Sequence, residues 1–89
     1  MITIDEILEE RGKRYGNFED HARITQAIKH EIRQGESFTS MEDDMVEAID
    51  MIAHKIGRIV NGDPRYIDSW DDIAGYAKLV ADRLRGDAK

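Results

Sequence analysis

The feature that most constrains this chain is a stripe of apolar residues in its third quarter. The steps between them alternate between four and three, and the members are Met45, Ile49, Ile52, Ile56 and Ile59. Residues at this spacing lie on one side of an α-helix, so the segment predicts an amphipathic helix that buries one face. Asn61 and Gly62 predict the end of this helix, and Pro64 prevents it from resuming.

Two helices are predicted before the stripe. Thr3 and Glu6 have the spacing of a capping box, so the first helix is expected to begin there and to end at Gly16. Asn17 is a good N-cap and predicts the start of the second helix. Gly35 is the expected end of that second helix, because glycine commonly follows the last helical residue.

A loop over residues 36–39 is predicted to lead into the stripe helix, with Ser40 and Asp43 as its capping pair. Gly57 and Gly75 fall inside helical patterns, where each glycine costs about 1 kcal/mol of helix stability. We expect both glycines to mark points where two helices approach closely.

A fourth helix is predicted from Asp68 or Ser69 to Gly86. The connection from Asn61 to Ile67 is short, so the third and fourth helices should form an antiparallel hairpin. No segment alternates as a strand does. The predicted fold is therefore a compact all-α bundle of about four helices, with residues 1–89 as one domain.

Composition limits the partners of this domain. A chain of 89 residues buries only about 60% of its unfolded surface, so we expect it to form a homo-oligomer. It has no cysteine and no apolar run of the roughly 20 residues that a membrane span needs, which favours a bacterial host cytoplasm and no membrane partner. The net charge of −6 disfavours long nucleic acids and leaves a small anion in a local basic pocket as the expected ligand.

The first candidate site surrounds the predicted turn between helices one and two. Cations precede Gly16 and a helix N-terminus follows it, an arrangement that can bind phosphate through backbone N–H groups. Neighbouring aromatic rings could stack on a base. The residues assigned to ligand binding here are Arg14, Tyr15, Asn17 and Phe18. A solvated charge run before an ordinary capped turn explains the same residues.

The second group of ligand candidates lies on helices three and four. Lys55 and Arg58 could clamp phosphates, or could simply favour the negative end of their helix. Carboxylates and aromatic side chains follow on the fourth helix, where they could orient ribose and base or serve as caps and core. The candidates from that helix are Asp68, Trp70, Asp72 and Tyr76.

A magnesium site is an alternative use of the carboxylates. Several acidic residues share one side of the third helix, with His54 one turn further on, and magnesium prefers oxygen ligands. His54 is expected to be polar or partly buried, whereas His21 and His30 are expected at the surface. The alternative metal ligands are Asp44, Glu47, Asp50, Asp68 and Asp72. A charged outer face opposite the isoleucine stripe is the competing explanation, and under the main interpretation the protein needs no cofactor.

Four spaced motifs resemble a family of small phage proteins that lack an assigned enzymatic activity. They are Arg-Tyr-Gly-Asn-Phe at 14–18, Asp-Met-Ile-Ala-His-Lys-Ile-Gly-Arg-Ile at 50–59, Gly-Asp-Pro at 62–64 and Asp-Ser-Trp-Asp-Asp-Ile-Ala-Gly-Tyr at 68–76. The resemblance covers most of the chain and implies a phage or prophage source. By size, source and residue types, the chain is also similar to oligomeric sponges that sequester cyclic nucleotide or ADP-ribose-type immune signals, an analogy without a shared motif.

A weaker resemblance is to MazG-like nucleoside triphosphate pyrophosphatases, which carry two acidic motifs on successive helices. Asp43-Asp44-x-x-Glu47 and Asp68-x-x-Asp71 have comparable spacing. Aspartate replaces most of the expected glutamates in the first motif. In another register of the second motif, Ser69 stands where an acid is required.

Three functions therefore remain open. The first is a binder that sequesters a small phosphorylated nucleotide without turnover. The second is a magnesium-dependent pyrophosphohydrolase of nucleoside triphosphates. The third is a protein inhibitor of a host enzyme, for which the acidic balance would suit a basic target.

Overall fold

The computed structural model describes residues 1–87, and these form four α-helices. The elements in chain order are α1 (Ile4–Tyr15), α2 (Phe18–Arg33), a short 3₁₀ helix (Phe38–Ser40), α3 (Asp43–Asn61) and α4 (Ile67–Arg85). No strand occurs among the described residues, so the all-α prediction is confirmed. The 3₁₀ helix overlaps the segment that was expected to be a loop. None of the helices in residues 1–87 is both long and apolar enough to cross a bilayer.

The first two helices begin where their capping residues predict. The hydroxyl of Thr3 accepts a hydrogen bond from the backbone N–H of Glu6 at 3.1 Å. The side-chain oxygen of Asn17 accepts one from the N–H of Asp20 at 3.2 Å. Each bond satisfies a donor that the first helical turn would leave unpaired.

The predicted starts of the other two helices require correction. Ser40 does not cap α3, because its hydroxyl donates locally to the carbonyl of Ser37 at 2.8 Å within the 3₁₀ turn. Glu42 precedes α3 instead, and its side chain makes no capping bond. The fourth helix begins at Ile67, slightly earlier than predicted, and its N-cap residue Tyr66 makes no side-chain capping bond.

The third helix is the centre of the bundle, since it packs against each of the other helices, whereas α4 packs mainly on α3. Two ion pairs show that α3 and α4 run antiparallel as predicted. Arg83 near the end of α4 binds Asp44 at the start of α3, and Asp72 lies 2.9 Å from Lys55 further along.

The two interior glycines differ. A side chain at Gly57 would clash with the hydroxyl of Thr25 and would lie 3.0 Å from ring atoms of His21, so the close approach predicted there is confirmed. Gly75 has nothing within 4 Å of the position that a Cβ atom would take, and the same prediction for it is wrong. The α2–α3 crossing therefore depends on a glycine, and the α3–α4 crossing does not.

Burial within one chain is shallower than the isoleucine stripe predicts. The buried apolar residues are the small Ala48 and Ala53 with Ile59, and no large side chain is fully buried among the described residues. Ile56 retains 37% of its exposure. Met45, Ile49 and Ile52 of the stripe line a shallow groove between α3 and α4.

Candidate functional site

The turn between α1 and α2 is fastened to the C-terminal end of α3. The side-chain amide of Asn61 donates to the backbone carbonyls of Tyr15 and Asn17, both at 2.9 Å. The backbone N–H of Asp63 donates to the carbonyl of Arg14 at 2.7 Å. Gly16 takes a positive φ of 78°, and a side chain there would collide with Asn61. The turn at Gly16 and the segment at 61–63 are therefore joined by three hydrogen bonds, although they are far apart in sequence. We call the place where they meet the corner.

Arginine and tyrosine side chains alternate over this corner. The guanidinium of Arg58 lies 4.0 Å from the ring centroid of Tyr15. The Tyr15 ring meets the ring of Tyr66 edge-on, with centroids 6.1 Å apart. The guanidinium of Arg14 lies 4.3 Å from the Tyr66 centroid and also 3.0 Å from a carboxylate oxygen of Glu10. The contact with an aromatic ring holds the Arg58 guanidinium in place without neutralising its charge. The charge of Arg14 is offset by Glu10.

A groove of about 490 Å³ opens beside this corner, and we call it the α1–α2–α3 groove. Its volume lies in the range typical of small-molecule sites. Phe18, at the start of α2, is 77% exposed. The side chains that bear on its chemistry are Arg11, Tyr15, Phe18, His21, His54 and Arg58.

The cations of the groove differ from most others in the molecule. Arg33, Lys55 and Arg83 each lie within ion-pair distance of an aspartate. Arg11 and Arg58 have no carboxylate partner within that distance among residues 1–87. In a chain with net charge −6, this leaves a local excess of positive charge facing one groove.

Two histidines form the inner wall of the groove. The Nε2 atom of His21 lies 3.4 Å from Nδ1 of His54 and 3.5 Å from the hydroxyl of Thr25. Burial lowers the pKa of His54 to about 4, with a further contribution from Arg58. Burial also lowers the pKa of His21, and the backbone of Gly57 opposes part of that fall. Both imidazoles are therefore neutral near pH 7 and contribute hydrogen-bonding atoms.

The burial of His21 corrects a prediction, because this histidine was expected at the surface and is only 5% exposed. A signal for this was present in the sequence. His21, Thr25, Ile28 and Ile32 recur at steps of four, three and four, which predicts one inward face of a helix. His54 was expected to be polar or partly buried, and it is half-buried as predicted.

The groove gathers four of the ten residues assigned to ligand binding, namely Tyr15, Asn17, Phe18 and Arg58. Arg14 lies next to it, in contact with Tyr66. The other five residues do not line this groove. Lys55 is only 12% exposed in its side chain and is paired with Asp72, so it is not available as a second clamp in this arrangement.

The remaining three ligand candidates lie on the α4 side of the molecule. Asp68 accepts a hydrogen bond from the hydroxyl of Tyr66 at 2.7 Å. The indole N–H of Trp70 donates to the carbonyl of Pro64 at 2.9 Å, and its side chain remains 51% exposed. Tyr76 lines separate grooves along α4. Sequence reasoning placed these residues with the others because helix spacing alone does not show which side of a bundle a helix occupies.

The carboxylates considered for magnesium are dispersed. Arg83 binds Asp44, and Arg33 binds both oxygens of Asp50 at 3.0 Å. These arginine hydrogen bonds hold the pKa values of Asp44 and Asp50 below the usual range. Glu47 borders a different groove. No three acidic or histidine side chains within residues 1–87 converge as metal ligands, so the donor set does not fit magnesium in a single chain.

Comparison with known proteins identifies the family. The model of DUF6378, a domain of unknown function, matches residues 3–84, and the chain therefore belongs to this family. No curated protein and no solved structure matches the chain.

Proposed function

We propose that this member of the DUF6378 family binds a small phosphorylated nucleotide in the α1–α2–α3 groove and holds it without turnover. The observation that carries the proposal is the position of Arg58. Its guanidinium is fixed against the Tyr15 ring at the groove and has no carboxylate partner among residues 1–87. An arginine that is oriented but not neutralised is suited to bind phosphate through two parallel hydrogen bonds.

The other groove residues suit the remaining parts of a nucleotide. Arg11 supplies a second positive charge for the phosphates. Phe18 offers an exposed ring on which a base can stack, whereas Tyr15 already carries Arg58 on its ring. The neutral imidazole of His54 can donate a hydrogen bond to, or accept one from, a base edge or a ribose hydroxyl.

The neutral state of the two histidines favours binding over catalysis. A general base works best when its pKa lies near the working pH. Burial and Arg58 lower the pKa of His54 to about 4, so its neutral form is a weak base. The dispersed carboxylates offer no alternative route through a metal in one chain. Sequestration of a cyclic nucleotide or an ADP-ribose-type signal, as in a phage protein that counters host defence, agrees with these features.

Calorimetric titration and ligand release test the proposal. The purified protein is titrated with AMP, ADP, ATP, ADP-ribose and a cyclic dinucleotide, in EDTA and in magnesium, and then heat-denatured so that released compounds can be identified by mass spectrometry. We expect at least one of these nucleotides to bind in EDTA and to be released intact. Conversion of a nucleoside triphosphate to monophosphate and pyrophosphate in magnesium would instead support hydrolysis. Absence of binding to the whole panel would overturn the proposal.

Substitution of Arg58 locates the phosphate site. Arg58→Gln removes a charge-assisted contact worth about 1.5–3 kcal/mol, so we expect binding to weaken by about 10- to 150-fold. Arg65→Gln is the matched control, because Arg65 is an exposed arginine outside the groove and has no ion pair among residues 1–87. If both variants bind as the unmodified protein does, Arg58 is not a phosphate ligand.

A further inference from the structure

The open side of α3 is an apolar surface that the proposed ligand site does not use. Its apolar residues follow the helical period, yet only one member of the isoleucine stripe, Ile59, is buried. Ile56 is 37% exposed, and Val60, one turn beyond it, is 62% exposed. A stripe of this kind on a central helix is normally covered by another element.

The stripe continues onto α4 through a shallow apolar groove of about 360 Å³ between the two helices. The groove is lined entirely by apolar residues, including Met45, Ile49, Ile52, Ala77, Val80 and Leu84. Trp70 lies seven residues before Ala77, and Leu84 lies seven residues after it, so the three positions share one side of α4. Trp70 is 51% exposed and Leu84 is 60% exposed.

We propose that a second copy of this chain covers this surface, which we call the α3–α4 face, so that two hairpins form a four-helix bundle. Helices of 19 residues are each about 28 Å long. Two such helices at about 9 Å spacing present a face of roughly 500 Å². Burial of that face from both copies gives on the order of 1,000 Å², the lower limit for a specific interface.

The dimensions of one chain agree with an open core. The radius of gyration is 15.1 Å, against about 12 Å expected for 89 residues around one closed core. No large side chain is fully buried in residues 1–87. A two-fold copy packed on the α3–α4 face would enclose the isoleucine stripes of both chains. A second copy therefore completes the core, because it contributes the same apolar residues from its own α3–α4 face.

The charges at the edges of the α3–α4 face do not oppose this docking. Arg83 is already paired with Asp44, and Lys55 with Asp72, along the contact between the two helices. The apolar groove itself contains no charged residue. Docking therefore removes few unpaired charges from water. Burial of unpaired charges is the main energetic cost of covering a surface, so this cost is small here. The nucleotide groove lies on the α1–α2 side of α3 and remains accessible.

Mass measurement and tryptophan fluorescence test the proposal directly. By light scattering or sedimentation, we expect a particle of about 20 kDa, twice the 10.2 kDa of the chain. Trp70 is the only tryptophan and lies on the α3–α4 face, so its emission should shift to longer wavelength as the protein is diluted and the dimer dissociates. A 10.2 kDa particle at 100 µM would overturn the inference. So would a dimer that dissociates on dilution without any shift in the tryptophan emission.

A charge introduced on the face provides the variant test. Ile56→Glu should convert the protein to a monomer, with helical content by circular dichroism unchanged because position 56 is already partly exposed in one chain. Leu79→Glu is the matched control, since Leu79 is 53% exposed on α4 but lines other grooves. A folded Ile56→Glu protein that keeps the dimeric mass rules out this face. If Ile56→Glu does not fold, the mass and emission of the unmodified protein decide the question.

Discussion

At the scale of single residues, the least expected feature is a pair of touching histidines that remain uncharged. The Nε2 atom of His21 and the Nδ1 atom of His54 are 3.4 Å apart, so protonation of one disfavours protonation of the other. Burial is the larger cause of the lowered pKa values, and Arg58 adds repulsion. A phosphate bound at Arg58 would oppose that repulsion, so ligand binding and protonation of the pair should be coupled.

The first prediction concerns acid stability. The pKa of His54 is about 4 in the folded chain and 6.5 as a model value, so unfolding takes up a proton between these values. The contribution of His54 to stability is fully present above about pH 6.5 and is lost as the pH falls through 4. We expect the free energy of unfolding in urea to decrease over this window. His54→Gln should flatten the decrease, whereas His30→Gln at an exposed position should leave it unchanged.

At the scale of helices, the crossing of α2 and α3 decides where the nucleotide groove can form. Gly57 lets the backbone of α3 approach the side chains of Thr25 and His21. Asn61, one turn later, fixes the start of α2 through two hydrogen bonds to backbone carbonyls. The position of Phe18 at the edge of the groove follows from these two contacts, because it is the first residue of α2.

The second prediction is that Gly57→Ala destabilises the protein although alanine is the better helix former. The added methyl group would clash with the Thr25 hydroxyl and crowd His21. Overpacking typically costs about 1–3 kcal/mol, which exceeds the gain in helix propensity of about 1 kcal/mol. Urea denaturation measures the difference.

Gly75→Ala provides the control for this prediction, since nothing lies within 4 Å of its added methyl group. It should stabilise the protein by about 0.5–1 kcal/mol. Equal effects of the two substitutions would show that the α2–α3 crossing is not closely packed at Gly57.

At the scale of the whole molecule, the bundle is elongated, with extents of 43 × 29 × 23 Å. One chain encloses small residues well and leaves the α3–α4 face open, so its hydrophobic stabilisation is incomplete. A protein completed by a second copy gains stability by mass action, because only the folded form associates.

The third prediction follows from this linkage. The apparent free energy of unfolding should increase by on the order of 1 kcal/mol for each tenfold rise in protein concentration. Urea unfolding at 1 µM and 100 µM, followed by circular dichroism, measures the shift. In Ile56→Glu, which should be monomeric, the transition should occur at the same urea concentration in both samples. A concentration-independent transition in the unmodified protein would contradict an associated native state.

The sequence by itself determined the local structure, because helices depend on interactions between residues three or four positions apart. The caps at Thr3 and Asn17 were predictable for this reason. The hairpin of α3 and α4 was predictable because the connection between the two helices is short. It also indicated that cations and aromatic rings near Gly16 form a candidate site. Ser40 was misassigned because a 3₁₀ turn used its hydroxyl locally.

Only the tertiary structure decided which polar residues meet. Asn61 binds the carbonyl of Tyr15 across 46 positions of sequence. Lys55 is neutralised by Asp72, while Arg58 lies over Tyr15 without a carboxylate partner among residues 1–87. Both cations lie near the C-terminal end of the same helix, so the sequence does not distinguish them. The packing of neighbouring helices places Asp72 beside Lys55 and the Tyr15 ring beside Arg58. Long-range contacts depend on how faces pair in space, which the period of a single helix does not specify.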